Sequence, residues 1–189
     1  MATDVEIDEL HRISVDDYHR LAEAGAGEFL PNVELIDGLL VRKDMKSPQH
    51  EDAIAWLLEW LMFGVDRRHF AVRAASALTL THSEPEPDLM VIARDRPRPY
   101  HPATAVLAIE VSATSLRRDL RRKAVLYAEA GVGEYWVHDV RGGRIVVHRA
   151  AREGGYSDVR ELRAGGQIAD PPAGLPALDV DELLRATAA

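Results

Sequence analysis

The chain has no cysteine, which removes disulfides, thiolate zinc sites and cysteine nucleophiles together. It lacks an apolar run long enough to span a bilayer, and no basic stretch followed by an apolar one opens the sequence, so a soluble, cytoplasmic protein with no membrane partner is expected. Positive charge is in short supply: 23 lysines and arginines face 31 acids, a formal net charge of -8. That balance counts against loose, sequence-blind binding to nucleic acid, which relies on cations displacing counterions from phosphates. Gly-x-x-x-x-Gly-Lys, Gly-x-Ser-x-Gly and His-Glu-x-x-His are missing too. The eight histidines are scattered without ligand spacing, so a histidine zinc site is not expected.

What is present is ordinary globular material, 47% hydrophobic and 29% charged in 189 residues, which suits one domain over residues 1–189. Residues 1–30 read as an N-terminal arm: a mobile acidic end over 1–10, then a short helix that Ser14 caps and Gly25 ends. Asp37-Gly38 between Val33–Ile36 and Leu39–Arg42 is a two-residue turn favouring positive φ, the clearest hairpin signal in the chain. Ser47 and Pro48 open a helix with Ile54, Leu57, Leu58 and Leu61 on its core side. Residues 69–75 and 77–81 alternate like half-buried strands before a proline-rich segment whose Glu84 and Glu86 read as solvated. Two apolar runs, 89–92 and 105–111, flank a loop with three prolines centred near Pro99. A helix over 116–130 and a strand over 134–139 complete a crossover, so that last strand should lie parallel to the run ending at Val111. Strands over 144–149 and 156–162 extend the sheet, and Asp179 caps a closing helix within 179–186. The fold class expected is α/β (α+β): a mixed sheet flanked by helices, with an added antiparallel hairpin.

If the two central strands pair antiparallel about the Pro99 loop, position 93 faces 105 and Asp88 faces Glu110. Directly opposed side chains have Cβ atoms about 4.5–5.5 Å apart, and two like charges held there repel. A cation between them resolves the conflict, and magnesium, which needs only one or two protein carboxylates plus water and a phosphate oxygen, fits. A register shifted by one residue would instead leave both acids as solvated strand ends. Lys123 shares a helix face with Leu120, Ala124 and Tyr127, and lysine seldom sits among apolar neighbours unless its ammonium has a partner. That partner is either the proposed site or Asp119, four residues earlier. Arg117, Arg118, Arg121 and Arg122 crowd around this lysine as the densest basic patch in the chain. His50 falls in the first turn of its helix and, taken alone, reads as a surface or locally hydrogen-bonded residue.

These residues stand in an order that resembles a known family. Val33-Glu34-Leu35-Ile36-Asp37-Gly38, Ser47-Pro48-Gln49-His50, Pro87-Asp88-Leu89, Ile109-Glu110-Val111-Ser112, Asp119 with Lys123 and Tyr127, and Gly133-Glu134-Tyr135-Trp136 resemble the Uma-two family of restriction-endonuclease-like proteins within the PD-(D/E)XK nuclease superfamily. The usual superfamily lysine lies two residues after the second acid; here that position is Ser112, so the role passes to Lys123. The resemblance implies a restriction-endonuclease-like core in the order helix, three strands, helix, strand. It implies an endonuclease that hydrolyses DNA with Mg2+, for which Mn2+ can substitute. Asp88 and Glu110 would hold the ion, with Glu34 and the Val111 carbonyl as further candidate ligands. Asp88, Glu110 and Lys123 would be catalytic, and His50, Ser112, Arg117, Arg118, Arg121 and Arg122 would meet the substrate. A double-strand cut needs two sites and so implies a homodimer. The other reading is an inactive module that binds nucleic acid or protein on the same fold.

Overall fold

A computed structural model describes residues 9–25, 32–43, 46–95 and 101–187. Residues 1–8 of the acidic end and the loop centre at Pro99 lie outside the described residues. The N-terminal helix α1 (Val15–Glu23) begins at a capping box: Asp17 N–H donates to the Ser14 hydroxyl, and the Asp17 carboxylate accepts from Ser14 N–H. Strands β1 (Val33–Ile36) and β2 (Leu39–Arg42) pair antiparallel across a turn with φ of 53° at Asp37 and 76° at Gly38, the backbone that Asp-Gly selects. Helix α2 (Pro48–Gly64) starts at Ser47, with proline in its first turn, and buries Ala53, Leu57 and Leu61.

Six strands form the main sheet in the order β3-β4-β5-β6-β7-β8: β3 (Phe70–Ala74), β4 (Leu89–Ala93), β5 (Leu107–Ser112), β6 (Glu134–Asp139), β7 (Arg144–Arg152) and β8 (Gly155–Leu162). All neighbours are antiparallel except β5 and β6, the expected parallel pair. Leu89 faces Ile109 and Val91 faces Leu107, so the register predicted for the two central strands is the one adopted. Between β5 and β6 the chain is α-helical over Leu116–Arg118 (α3), π-helical over Asp119–Lys123 and α-helical again over Ala124–Glu129 (α4). It ends at Gly131, where the amides of Gly131 and Val132 return to the carbonyls of Ala128 and Tyr127. A short pair, β9 (Gln167–Ile168) with β10 (Leu178–Asp179), leads to helix α5 (Val180–Ala186), which Asp179 caps.

Side chains alternate across the sheet. Leu89, Val91, Leu107, Ile109 and Val111 pack on one face with α2 and α5; Met90, Ile92 and Ala108 pack on the other with Ala124, Tyr127 and Tyr135. Glu110 shares the second face by its position in β5, and Asp88, one step before β4, has the parity of Met90.

One predicted strand is absent. Residues 77–81 carry no ladder, although Leu78 is fully buried. Leu78 N–H donates to Pro85 and Thr79 N–H to Pro102, and prolines have no N–H to return, so reciprocal strand pairing cannot form there.

Candidate metal and nucleic-acid site

Four elements bring charged groups to one cavity of about 410 Å³, lined among others by Glu34, Lys43, Lys46, His50, Glu86, Asp88, Glu110, Val111, Arg118, Asp119 and Lys123. The hairpin delivers Glu34 because it is pinned over the sheet: Glu84 N–H bonds Leu35 O at 2.7 Å, and Gly38 N–H bonds His82 O at 2.8 Å. Glu34 is completely buried, so the reading as an exposed strand residue is excluded. Asp88 stands at the entrance to β4, where Val111 N–H donates to its Oδ2 at 2.8 Å. Helix α2 points His50 inward, with Nε2 3.5 Å from Asp88 Oδ2. The π segment turns Lys123 onto the sheet.

Lys123 Nζ lies 2.8 Å from Glu110 Oε1 and 3.0 Å from Glu34 Oε2. The ordinary exposed pair with Asp119 is therefore not what holds this lysine: Asp119 is itself buried and accepts from the Ser115 hydroxyl. Tyr127 completes the second coat by donating to Glu110 Oε1 at 2.9 Å. Burial on its own would favour loss of the Lys123 proton, but the charges of Glu110, Glu34 and Asp119 outweigh it and hold the ammonium above its ordinary pKa. Glu110 is pushed well above the carboxylate range by burial, with Asp119, Asp88 and Glu34 adding to the rise and Lys123 opposing it. Burial likewise raises Asp119. Glu34, Asp88, Glu110 and Asp119 thus meet Lys123 and Arg118 in a cavity that Lys43, Lys46 and Glu86 also line. Glu34 Oε1, His50 Nδ1, Asp119 Oδ1 and Arg118 Nε are buried with no hydrogen-bond partner among the described residues, although Arg118 Nε stands 3.8 Å from Glu34 Oε1 and 4.0 Å from Asp119 Oδ1. A larger cavity of about 540 Å³ near Ile92, Pro102 and Gly133 is lined, among the described residues, by Asp95 and Glu134 as its charged groups.

The Uma2 family model, described as "Putative restriction endonuclease", matches residues 15–183. The chain belongs to this family. Among solved structures it is similar to a putative nuclease belonging to DUF820 from Anabaena variabilis ATCC 29413, 17% identical over 93% of this chain and 99% of that one, with a TM-score of 0.73. It is also similar to the type IIG restriction endonuclease BpuSI, 13% identical over 78% of this chain but 17% of that one, with a TM-score of 0.43. No curated protein matches the chain significantly. Family membership is consistent with the PD-(D/E)XK superfamily, and no helix among the described residues is long and apolar enough to cross a membrane.

The other predicted contacts divide. Arg118 lines the cavity and also donates to Arg42 O at 3.3 Å. Arg122 instead grips Asp37 of the hairpin turn with two nitrogens, so its fork is already occupied. Arg117 and Arg121 are exposed and do not line the cavity, because the winding of this helix turns them to solvent. Ser112 is fully buried and faces the Ser115 hydroxyl at 3.2 Å, so it braces the start of the helix. Of the two acids read as solvated, Glu84 is buried, and half-buried Glu86 pairs with Lys43 at 2.6 Å. The histidines also need correction: His19, Glu84 and His101 gather with one ligand atom each within 4.8 Å of the others, a set able to hold a metal ion. Their positions lie so far apart in the chain that no spacing motif could show it.

Proposed function

We propose that this chain is a divalent-metal-dependent endonuclease that hydrolyses DNA phosphodiester bonds on a single restriction-endonuclease-like PD-(D/E)XK domain. What carries the reading is one ammonium, Lys123, held between two buried glutamates beside a third acid, Asp88, at the floor of an open cavity. The donor set suits Mg2+ or Mn2+: every acid offers hard oxygen, and buried Glu34 Oε1 accepts no hydrogen bond among the described residues, its ion-pair partner Arg118 Nε standing 3.8 Å away. Asp88 and Glu110 would hold the ion, with Glu34 and the Val111 carbonyl as further ligands. The chemistry supplied there is polarisation of a phosphoryl oxygen and acidification of water.

The chain's own groups would do the rest. Lys123 retains its proton at Nζ, so it would donate toward charge building on the phosphate rather than act as a base. His50, beside Asp88, would steady that carboxylate. Arg118 and Lys46 at the wall would meet neighbouring phosphates, a local answer to the overall negative charge. The physiological setting we propose is cytoplasmic, with a homodimer where both strands are cut.

The test is cleavage of supercoiled, linear and branched DNA with Mg2+ or Mn2+ against chelator. Glu110→Ala should abolish cutting while circular dichroism stays native. Cutting that survives Glu110→Ala, or that ignores chelator, would sink the assignment. Tight DNA binding without cleavage by the intact protein would favour the inactive module.

A further inference from the structure

We propose that His19, Glu84 and His101 bind a transition-metal ion of the Zn2+ class at a second site, separate from the acidic cavity and independent of the nuclease reading. Three segments far apart in sequence converge here: α1 supplies His19, the segment before β4 supplies Glu84, and the segment before β5 supplies His101. Glu84 is buried, yet its ion pairs among the described residues are only to the two imidazoles. A buried carboxylate needs a cation, and an imidazole serves as one only when protonated. The two carboxylate oxygens divide the work. Oε2 lies 2.7 Å from His19 Nε2 and accepts from the Thr79 hydroxyl at 2.8 Å, while Oε1 faces His101 Nδ1 at 3.8 Å. Thr79 thereby helps to orient the carboxylate, as outer-shell hydrogen bonds do for metal ligands.

Two imidazoles and one carboxylate form a donor set that zinc uses with a fourth position open, and that other first-row ions also take. Mg2+ prefers oxygen alone, so the two sites would sort ions by chemistry. None of the three residues lines the acidic cavity. Glu84 is nonetheless bonded to Leu35, next to Glu34, through its backbone. A bound ion would clasp α1 and the two segments against the hairpin that carries Glu34.

The experiment uses metal-stripped full-length protein titrated with Zn2+ by calorimetry, and with Co2+ by visible absorption. Wild type should bind one more equivalent of Zn2+ than the His19→Gln/His101→Gln double variant, and that equivalent should be retained in Glu110→Gln; Thr79→Val should weaken it about tenfold. Co2+ should give d–d bands that vanish in the double variant. His19 and His101 side chains are 42% and 55% exposed, and native circular dichroism of the double variant confirms that its fold persists. Absence of zinc binding in wild type, undiminished binding in the double variant, or loss only in Glu110→Gln would overturn the proposal.

Discussion

At the scale of single residues, the site is governed by the mismatch between buried acids and buried cations. Lys123→Met would leave Glu34 and Glu110 facing each other without their ammonium, and removing one partner of a buried pair costs about 3–5 kcal/mol. Urea denaturation should show that loss at neutral pH. It should shrink as the pH falls, because Glu110, whose carboxyl burial already holds well above the ordinary range, then takes up a proton. The same substitution should raise the thermal stabilisation produced by Mn2+, since the acids then have only the ion to neutralise them. Lys123 itself was legible from its place on an apolar helix face. Its partner was not: Glu34 lies on a hairpin whose solvent side could not be chosen from four alternating residues, and only its docking onto the segment before β4 buried it.

At the scale of elements, two local conformations aim the charged groups of the cavity. The hairpin turn needs glycine at 38, where φ is 76° and an added Cβ would stand 2.8 Å from Arg12 Cβ and 2.9 Å from Ile13 O. Gly38→Ala should therefore cost more than about 1 kcal/mol, read as a lower urea midpoint at unchanged slope. The π segment adds a residue to one turn, and such turns recur at functional sites. Deleting exposed Arg121 should return the helix to ordinary winding and rotate Lys123 relative to Asp119. Helical circular dichroism should persist while DNA cleavage falls to background. Helix caps, the Asp-Gly turn and the crossover were all readable because they depend on neighbours within a few positions. The π turn was not, since ordinary helical periodicity assumes an unvarying winding, and the false strand at 77–81 arose because its alternation reflects loop packing against prolines.

At the scale of the whole molecule, His138 and His148 lie buried in the sheet, and burial lowers both below the ordinary value of 6.5 despite opposing hydrogen bonds to carbonyls. The unfolded chain takes up these protons at a pH where the folded one refuses them. Stability should hold above about pH 6.5 and fall as the pH drops below it. Thermal melts from pH 7.5 to 5.5 would check this, and His148→Gln should flatten part of the slope. The sequence by itself determined the order of elements and the antiparallel register that sets Asp88 against Glu110, because strand alternation and turn chemistry are written in adjacent residues. Only the tertiary structure decided that Glu34 joins Glu110 on Lys123, that Arg122 is tied to Asp37, and that His19, Glu84 and His101 meet. Those contacts join positions tens of residues apart, and their geometry exists only once the hairpin, the first helix and the loops have packed onto the sheet.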